Sequence, residues 1–167
     1  MTRRATLADA RAIAELQLRS WQRDYADVVP GEILAGQTVE RRLERWTELL
    51  GAGVASVLVF DQPEVGVVGV AACGPMRGEH AEDGVGELYA LYVDPFAQGS
   101  GVGTALLAGA IEELRAAGRR AATLWVFRDN GRARRFYERH GWRCEEGSEA
   151  LAGADWWAPA VRYRREL

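Results

Sequence analysis

Apolar side chains recur every three to four residues in four segments of the chain, the spacing that places them on one face of an α-helix. One such stripe is Ala14, Leu18, Trp21 and Tyr25. Residues that favour helix N-caps precede the stripes, as Asp9 does here. The predicted helices span residues 9–25, 38–50, 103–117 and, starting at 129 or 130, up to 140.

Runs rich in β-branched and aromatic residues lie between these helices and predict strands. They span residues 3–7, 54–60, 65–73, 86–93, 122–127, 142–145 and 159–165. The resulting order is βααβββαβαββ. It indicates an α/β (α+β) fold in one domain over residues 1–167, with a mixed central sheet of about six to seven strands and four flanking helices.

The composition is typical of a globular domain. A chain of 167 residues can bury a sizeable core, and fractions of 48% hydrophobic and 27% charged residues exclude a disordered chain. The net charge of −3 gives no reason to expect nucleic acid or an acidic membrane as a partner. All 21 cationic side chains are arginine, which excludes lysine Schiff-base chemistry and a Walker-type loop. We expect most of these arginines to be surface or helix-face charges.

Cysteine and histidine give no sign of a metal site. Cys73 and Cys144 are far apart, so we expect two buried free thiols. His80 and His140 stand alone, which favours surface or packing roles. The N-terminal segment lacks the apolar core of a signal peptide, and no apolar run approaches the roughly 20 residues that span a bilayer. A cytoplasmic protein is therefore expected.

A glycine-rich loop, Gln98-Gly99-Ser100-Gly101-Val102-Gly103, joins an apolar strand to an alanine- and leucine-rich helix. Such a unit directs free backbone N–H groups and the positive end of a helix dipole at one point, which favours a phosphate group. A dinucleotide fold would need a third glycine where Thr104 stands and an acidic residue about 20 positions later. A site for another phosphate compound and a plain connecting turn remain as alternatives.

The loop, the preceding strand at 87–95 and the helix at 130–142 together resemble the GNAT superfamily of N-acyltransferases. The loop matches Gln-x-x-Gly-x-Gly, and the helix matches NxxAxxFYxxxGF/W. The resemblance covers nearly the whole chain and implies a GNAT-like fold, acetyl-CoA as cosubstrate without a metal, and direct acetyl transfer to a primary amine in a ternary complex. The implied cofactor-binding residues are Leu91, Tyr92, Val93, Gln98, Gly99, Ser100, Gly101, Val102, Gly103, Thr104, Asn130, Ala133 and Tyr137.

Two side chains are candidates for proton transfer, since the attacking amine must lose a proton and the leaving thiolate can gain one. Glu87 is the candidate base, directly or through water, with a surface ion pair as its alternative role. Tyr137 is the candidate acid, because a phenol with a pKa of about 10 can donate to a thiolate; core packing is its alternative. The resemblance also implies a β-bulge in the strand, and backbone groups of Leu91 and Val93 that pair with the pantetheine arm. Asn130 either contacts that arm or only caps its helix.

Four aromatic residues are candidates for the acceptor pocket, although a hydrophobic core would use them equally well. They are Trp21, Tyr25, Tyr89 and Trp156. An aromatic cluster can hold an amine or an aromatic group. The implied partner is a small-molecule or peptide amine, and the resemblance allows a homodimer. A non-catalytic acyl-CoA sensor or interaction domain is the alternative to an enzyme, and another donor such as succinyl-CoA is a weaker one.

Overall fold

The computed structural model describes residues 1–151 and 158–167, and its centre is a seven-stranded mixed sheet. The strands are β1 (Thr2–Arg4), β2 (Ser56–Gln62), β3 (Gly66–Pro75), β4 (Val85–Val93), β5 (Ala121–Phe127), β6 (Arg143–Cys144) and β7 (Ala160–Glu166). Each lies within a few residues of its predicted position. The predicted α/β fold class with a mixed sheet is confirmed.

Five α-helices accompany the sheet in the described part of the chain. They are α1 (Ala10–Asp24), α2 (Gly31–Ala35), α3 (Val39–Ala52), α4 (Val102–Ala116) and α5 (Gly131–Arg139). The short α2 corrects the prediction of four helices. Pro30 precedes this helix, and its fixed φ, here −51°, suits the residue before a helical turn.

The strand order, β1-β2-β3-β4-β5-β7-β6, places β4 and β5 at the centre of the sheet. These two strands pair in parallel, and the other described pairs are antiparallel. A parallel pair requires a crossover connection, which α4 supplies. The N-terminus of α4 therefore lies next to the end of β4.

Helices cover both faces of the sheet. On one face α4 packs Leu106 and Leu107 into a core shared with β3, β4 and β5. Gly69 of β3 permits the close approach of α4, since a Cβ there would lie 2.7 Å from Leu106 Cδ1 and 2.8 Å from a methyl group of Val102. On the other face, Ile13 of α1 and Trp46 of α3 pack against β2 and β3.

The strands β4 and β5 separate halfway along their length. Their register runs from Val85 opposite Ala121 to Leu88 opposite Leu124 and continues no further. Against β3, Leu88 and Ala90 face consecutive residues, so Tyr89 is the extra residue of a β-bulge. The register thus contains the bulge that the family resemblance implied. Beyond Leu88, one edge of β4 has no partner strand among the described residues, and a cleft opens beside it.

Within residues 1–151 and 158–167, every helix is too short or too polar to cross a lipid bilayer. Both cysteines are free thiols, but only Cys73 is buried, and burial raises the pKa of its thiol to about 12. Cys144 is exposed because β6 is a short strand at the edge of the sheet, which corrects the expectation of two buried thiols.

Candidate active site

A cleft of about 470 Å³ lies between the free edge of β4, the glycine-rich loop and α5. Every residue predicted to bind the cofactor lines this cleft except Ser100 and Val102. The cleft also includes residues that were not assigned to the cofactor: Asp24, Tyr25, Arg132, Phe136, Arg139 and His140. It is therefore more cationic than the loop motif alone indicated.

The side chains of Ser100 and Val102 are used to fold the loop. The Ser100 hydroxyl donates to the carbonyl oxygen of Ala97 at 2.6 Å. Val102 is 5% exposed and belongs to the core beneath α4. Neither residue therefore lines the cleft.

Two glycines turn the chain from β4 into α4. Gly99 and Gly101 have φ values of +83° and +89°, in the left-handed region that side chains disfavour. Gly103 differs, because a Cβ there would make only ordinary contacts, at 3.6 Å, with Phe136 and Val93. Backbone conformation thus requires glycine at the first two positions. At the third position, the missing side chain leaves more room in the cleft.

The first turn of α4 presents unpaired backbone donors to the cleft. Its first intrahelical hydrogen bond runs from the Ala105 amide to the Gly101 carbonyl, at 3.0 Å. The N–H groups of Val102, Gly103 and Thr104 precede that bond, and helix N-termini leave such groups free. Together with the positive end of the helix dipole they form a site suited to an anion.

Gln98 ties the loop to three other elements. Its side-chain nitrogen donates to Asp24 Oδ2 at 2.9 Å and to the Val93 carbonyl at 3.2 Å. Its side-chain oxygen accepts from Arg132. One amide group therefore connects the loop to α1, β4 and α5.

Asp94 anchors the base of the loop. Its carboxylate is 3% exposed and accepts from Arg19 Nε at 2.8 Å and Nη2 at 2.6 Å. It also accepts from the Phe96 amide at 3.5 Å. Charge-assisted hydrogen bonds of this kind are stronger than neutral ones, so α1 is held firmly against the loop.

His140 joins α5 to the first turn of α4. Its Nδ1 lies 2.8 Å from the Phe136 carbonyl oxygen, which can only accept, so Nδ1 carries a proton. In the neutral ring, Nε2 then accepts from the Thr104 hydroxyl at 3.2 Å. The histidine has the packing role that was expected, since it contacts the Phe136 ring, but it also lines the cleft.

Tyr137 lies deep in the same cleft. It is 8% exposed, and its ring packs at steep angles against Phe136 and Trp142, with centroids 5.3 Å and 6.1 Å away. Burial raises the pKa of its phenol, and nearby Tyr92 raises it further. The phenol is therefore protonated at neutral pH and can donate a hydrogen bond into the cleft.

Asn130 caps α5 through its side-chain oxygen, which accepts from the Ala133 amide at 3.1 Å. Both residues line the cleft. Since the oxygen is occupied by the cap, a ligand contact from Asn130 would fall to the side-chain nitrogen.

The predicted acceptor residues divide between two places. Tyr25 lines the cleft, packs edge-on against Trp21 and Phe127, and has a phenol pKa that burial raises well above its usual value. Trp21 donates from Nε1 to the Tyr92 hydroxyl at 3.2 Å and faces a second pocket. Trp156 lies outside the described residues.

The second pocket has a volume of about 260 Å³ and lies between α1, α3 and β4. Besides Trp21 and Tyr89, it is lined by Gln17, Gln37, Arg41, Arg42, Arg45, Trp46, Leu49, Arg77 and Ala90. This pocket is not evident from the sequence, because arginines in a charged helix resemble a solvent-exposed face. Arg42 in fact is 5% exposed.

Glu87 lines neither pocket and is held by a residue of the second one. Its buried carboxylate accepts from the Arg77 amide at 2.9 Å and from Arg77 Nη2 at 2.8 Å. The Arg77 guanidinium in turn stacks 3.7 Å above the Tyr89 ring. Glu87 and Tyr89 thus point to the same side of β4, whereas Tyr137 approaches from the cleft.

In the described ranges no group of three or more His, Cys, Asp or Glu side chains is arranged to hold a metal ion.

Sequence comparison finds one family over most of the chain. The profile described as "Acetyltransferase (GNAT) family" matches residues 12–142. The N-acetyltransferase YuaI of Bacillus subtilis is 32% identical over 128 residues, which are 77% of this chain and 72% of that protein. A mycothiol acetyltransferase of Streptomyces avermitilis is 45% identical over 67 residues, 40% of this chain but only 22% of that protein.

Solved structures share the fold. The PaiA N-acetyltransferase of Thermoplasma acidophilum, in complex with coenzyme A, superimposes with a TM-score of 0.78 at 18% identity, over 100% of this chain and 98% of that one. The ribosomal-protein-alanine N-acetyltransferase of Brucella melitensis gives a TM-score of 0.76 at 25% identity, over 100% and 99%. Similarity at these identities concerns the arrangement of helices and strands.

The backbone conformation of the loop can be tested with two identical substitutions. Gly101→Ala should lower the free energy of unfolding by about 1–2 kcal/mol, because its left-handed φ is unfavourable for an L-residue. Gly51→Ala is the matched control. Gly51 lies within α3, and a Cβ added there would meet open space. Alanine at this position should therefore raise the free energy of unfolding by about 0.5–1 kcal/mol. Urea denaturation measures both changes. Equal effects from the two variants would contradict the loop conformation.

Proposed function

Since this chain is an acetyl-CoA-dependent acetyltransferase of the GNAT family, we propose that it acetylates a primary amine of a small molecule or peptide by direct attack in a ternary complex. One observation carries the proposal. The free amides at the N-terminus of α4, the unpaired edge of β4 and the buried phenol of Tyr137 all border one cleft.

The cleft offers complementary groups for each part of coenzyme A. The N–H groups between Gly99 and Thr104 and the α4 dipole suit its diphosphate. Arg132 and Arg139, which line the same cleft, add positive potential. The free edge of β4 at Leu91 and Val93 can pair with the pantetheine amides as an added strand would. When bound, acetyl-CoA supplies an acyl thioester.

The proposed reaction needs two proton transfers. The amine nitrogen attacks the thioester carbonyl carbon, a C–N bond forms and the C–S bond breaks. The amine loses a proton to a base, and the departing thiolate takes one from an acid. A backbone N–H of the β4 edge is the candidate to stabilise the negative charge on the carbonyl oxygen.

Tyr137 is the proposed acid. Its phenol borders the cleft, and burial raises the pKa of the phenol, so the donating form prevails across the neutral range. A thiolate within hydrogen-bond reach would then be stabilised before it receives the proton.

Glu87 is the proposed base. Its carboxylate is held by two donors of Arg77 and sits on the face of β4 that the second pocket borders. Because Glu87 lines neither pocket itself, we propose that it takes the proton of the amine through water rather than by direct contact.

Binding at the loop is tested by changing the charge of one exposed side chain. Thr104→Asp puts a carboxylate in the first turn of α4, where it favours the helix but repels a diphosphate. The affinity for coenzyme A should fall about tenfold or more, because a nearby like charge costs on the order of 1–3 kcal/mol. Thr104→Asn, of equal size and neutral, is the control. Calorimetry with coenzyme A measures both, and equal affinities would argue against a diphosphate at this loop.

The acid is tested by Tyr137→Phe. Turnover should fall about 100-fold or more if a positioned proton donor is lost, while calorimetric affinity for coenzyme A stays nearly unchanged. Since the pKa of this phenol is raised, the wild-type rate should show no loss from its ionisation up to about pH 10. Tyr163→Phe is the control, because Tyr163 is buried in the core and does not line the cleft. A non-catalytic acyl-CoA sensor would be indifferent to both changes.

The base is tested by Glu87→Gln, which keeps the size of the side chain and removes its proton affinity. The value of kcat/KM should fall by about 100-fold to 10,000-fold for an alkyl amine, and less for an acceptor whose amine is already neutral at the assay pH. Glu79→Gln, on the exposed loop before β4, is the control. If Glu87→Gln lowers the rates of both kinds of acceptor equally, Glu87 only positions Arg77.

A further inference from the structure

The second pocket concentrates positive charge in a chain whose net charge is −3. Four arginines line it, namely Arg41, Arg42, Arg45 and Arg77, and among the described residues no carboxylate side chain belongs to its lining. Arg77 alone among them forms an ion pair within the described ranges, with Glu87. The pocket is therefore a strongly cationic surface beside the strand that carries the proposed base.

Arg42 is the most unusual of these residues. It is 5% exposed, and a charged group so deeply buried normally faces a charge of opposite sign. Its polar contact is with Gln37 Oε1, a neutral acceptor 3.2 Å from Nη2, and its Nε has no partner. Burial lowers the pKa of Arg42, neighbouring Arg45 lowers it further, and Tyr92 and Tyr25 oppose this shift. Within residues 1–151 and 158–167, Arg42 thus has no countercharge.

The helix α3 could have supplied that countercharge and does not. Glu40, Glu44 and Glu48 lie on the same helix, and residues three or four apart on a helix can form ion pairs. Yet in the part of the chain that the structure describes, no ion pair links them to an arginine of α3. Arg41 and Arg45 even stand one turn apart as like charges, which destabilises a helix. The three arginines are directed to the pocket instead.

Neighbouring groups hold the guanidinium groups in place. Arg42 stacks on the Trp21 ring, 4.6 Å from its centroid, and Arg77 stacks on Tyr89. Trp46, which also lines the pocket, donates from Nε1 to Gln17 at 2.9 Å. Planar guanidinium groups fixed in this way match the geometry of a carboxylate or phosphate.

The pocket lies next to the cleft without being part of it. Tyr89 and Ala90 line the pocket, and the next three residues of β4 line the cleft. Trp21 and Tyr92, joined by their hydrogen bond, stand between the two spaces. A molecule anchored in the pocket would therefore be close to the edge of β4 where the proposed reaction takes place.

We propose that this pocket binds the acidic group of the acceptor, so that the substrate class is a primary amine that also carries a carboxylate or a phosphate. This inference rests on the proposed function and narrows it. Arg42 is the anchor, Arg41 and Arg45 surround the same oxyanion, and Trp21 and Trp46 pack against the carbon skeleton.

Direct binding tests the proposal without turnover. Benzoate and phenylphosphonate are titrated calorimetrically, at fixed ionic strength, into protein saturated with coenzyme A, so that the loop site is occupied. Wild type should bind at least one of them saturably and should not bind benzyl alcohol. In Arg42→Gln the affinity should fall about tenfold or more, since a charge-assisted contact is lost. Arg42→Lys should retain part of it.

Acceptor kinetics provide the second arm. Phenylalanine is compared with phenethylamine, and O-phosphoethanolamine with ethanolamine, by kcat/KM. In at least one pair, kcat/KM should be about tenfold or more higher for the acidic amine. A preference in the first pair indicates a carboxylate site, and a preference in the second pair indicates a phosphate site. The preference should shrink in Arg45→Gln, an exposed position that tests the pocket even if Arg42→Gln does not fold. Arg115→Gln, on the exposed side of α4, is the matched control.

The outcomes separate this proposal from the previous one. Absence of saturable oxyanion binding to the wild type, or equal binding by wild type, Arg42→Gln and Arg45→Gln, overturns the anionic acceptor. Neither result affects the binding of coenzyme A measured with Thr104→Asp. Loss of coenzyme A binding would overturn the proposed function through its own experiment.

Discussion

The separation of β4 from β5 beyond Leu88 is the constraint on which the whole site depends. Two parallel strands in the middle of a sheet normally satisfy each other's backbone groups along their full length. Here the pairing ends at Leu88 opposite Leu124, and the bulge at Tyr89 falls at the same level. The backbone groups that follow are left for a ligand, and the side chains on both faces of β4 are directed toward different spaces.

The glycine-rich loop, held by Gln98 and Asp94, fixes the position of α4 beside that opening. Gln98 and Asp94 connect the end of β4 to α1 and α5 through charged or amide hydrogen bonds. Gly99 and Gly101 let α4 begin immediately afterwards, so its free amides point at the mouth of the opening. These contacts fix the direction of the α4 amides relative to the cleft, which is the arrangement that the proposed anion site requires.

Local patterns were enough to predict the helices, the strands and the position of the glycine-rich loop, because helix periodicity, caps and glycine spacing act over a few residues. Asn130 caps α5 as predicted, and Thr38 caps α3. Asp9 precedes α1 as predicted, but its side chain does not cap that helix and accepts from Arg3 and Thr6 instead. Contacts between distant segments could not be predicted from local patterns. Arg77, for example, holds Glu87 only because a polar loop folds back onto β4. Arg42 was treated as a surface charge, because charge alone does not reveal that α1 and β4 bury one side of α3.

The two spaces differ in where their walls originate along the chain. Almost all of the cleft comes from the stretch between Leu91 and His140, whereas most of the second pocket comes from α1 and α3, before residue 50. The walls of the two spaces thus come from separate parts of the chain. If the cleft binds acetyl-CoA and the second pocket binds the acceptor, as proposed, exchange of the N-terminal helices alone would change the acceptor and leave the acetyl-CoA site intact. Acceptor selectivity could then diverge faster than acetyl transfer itself.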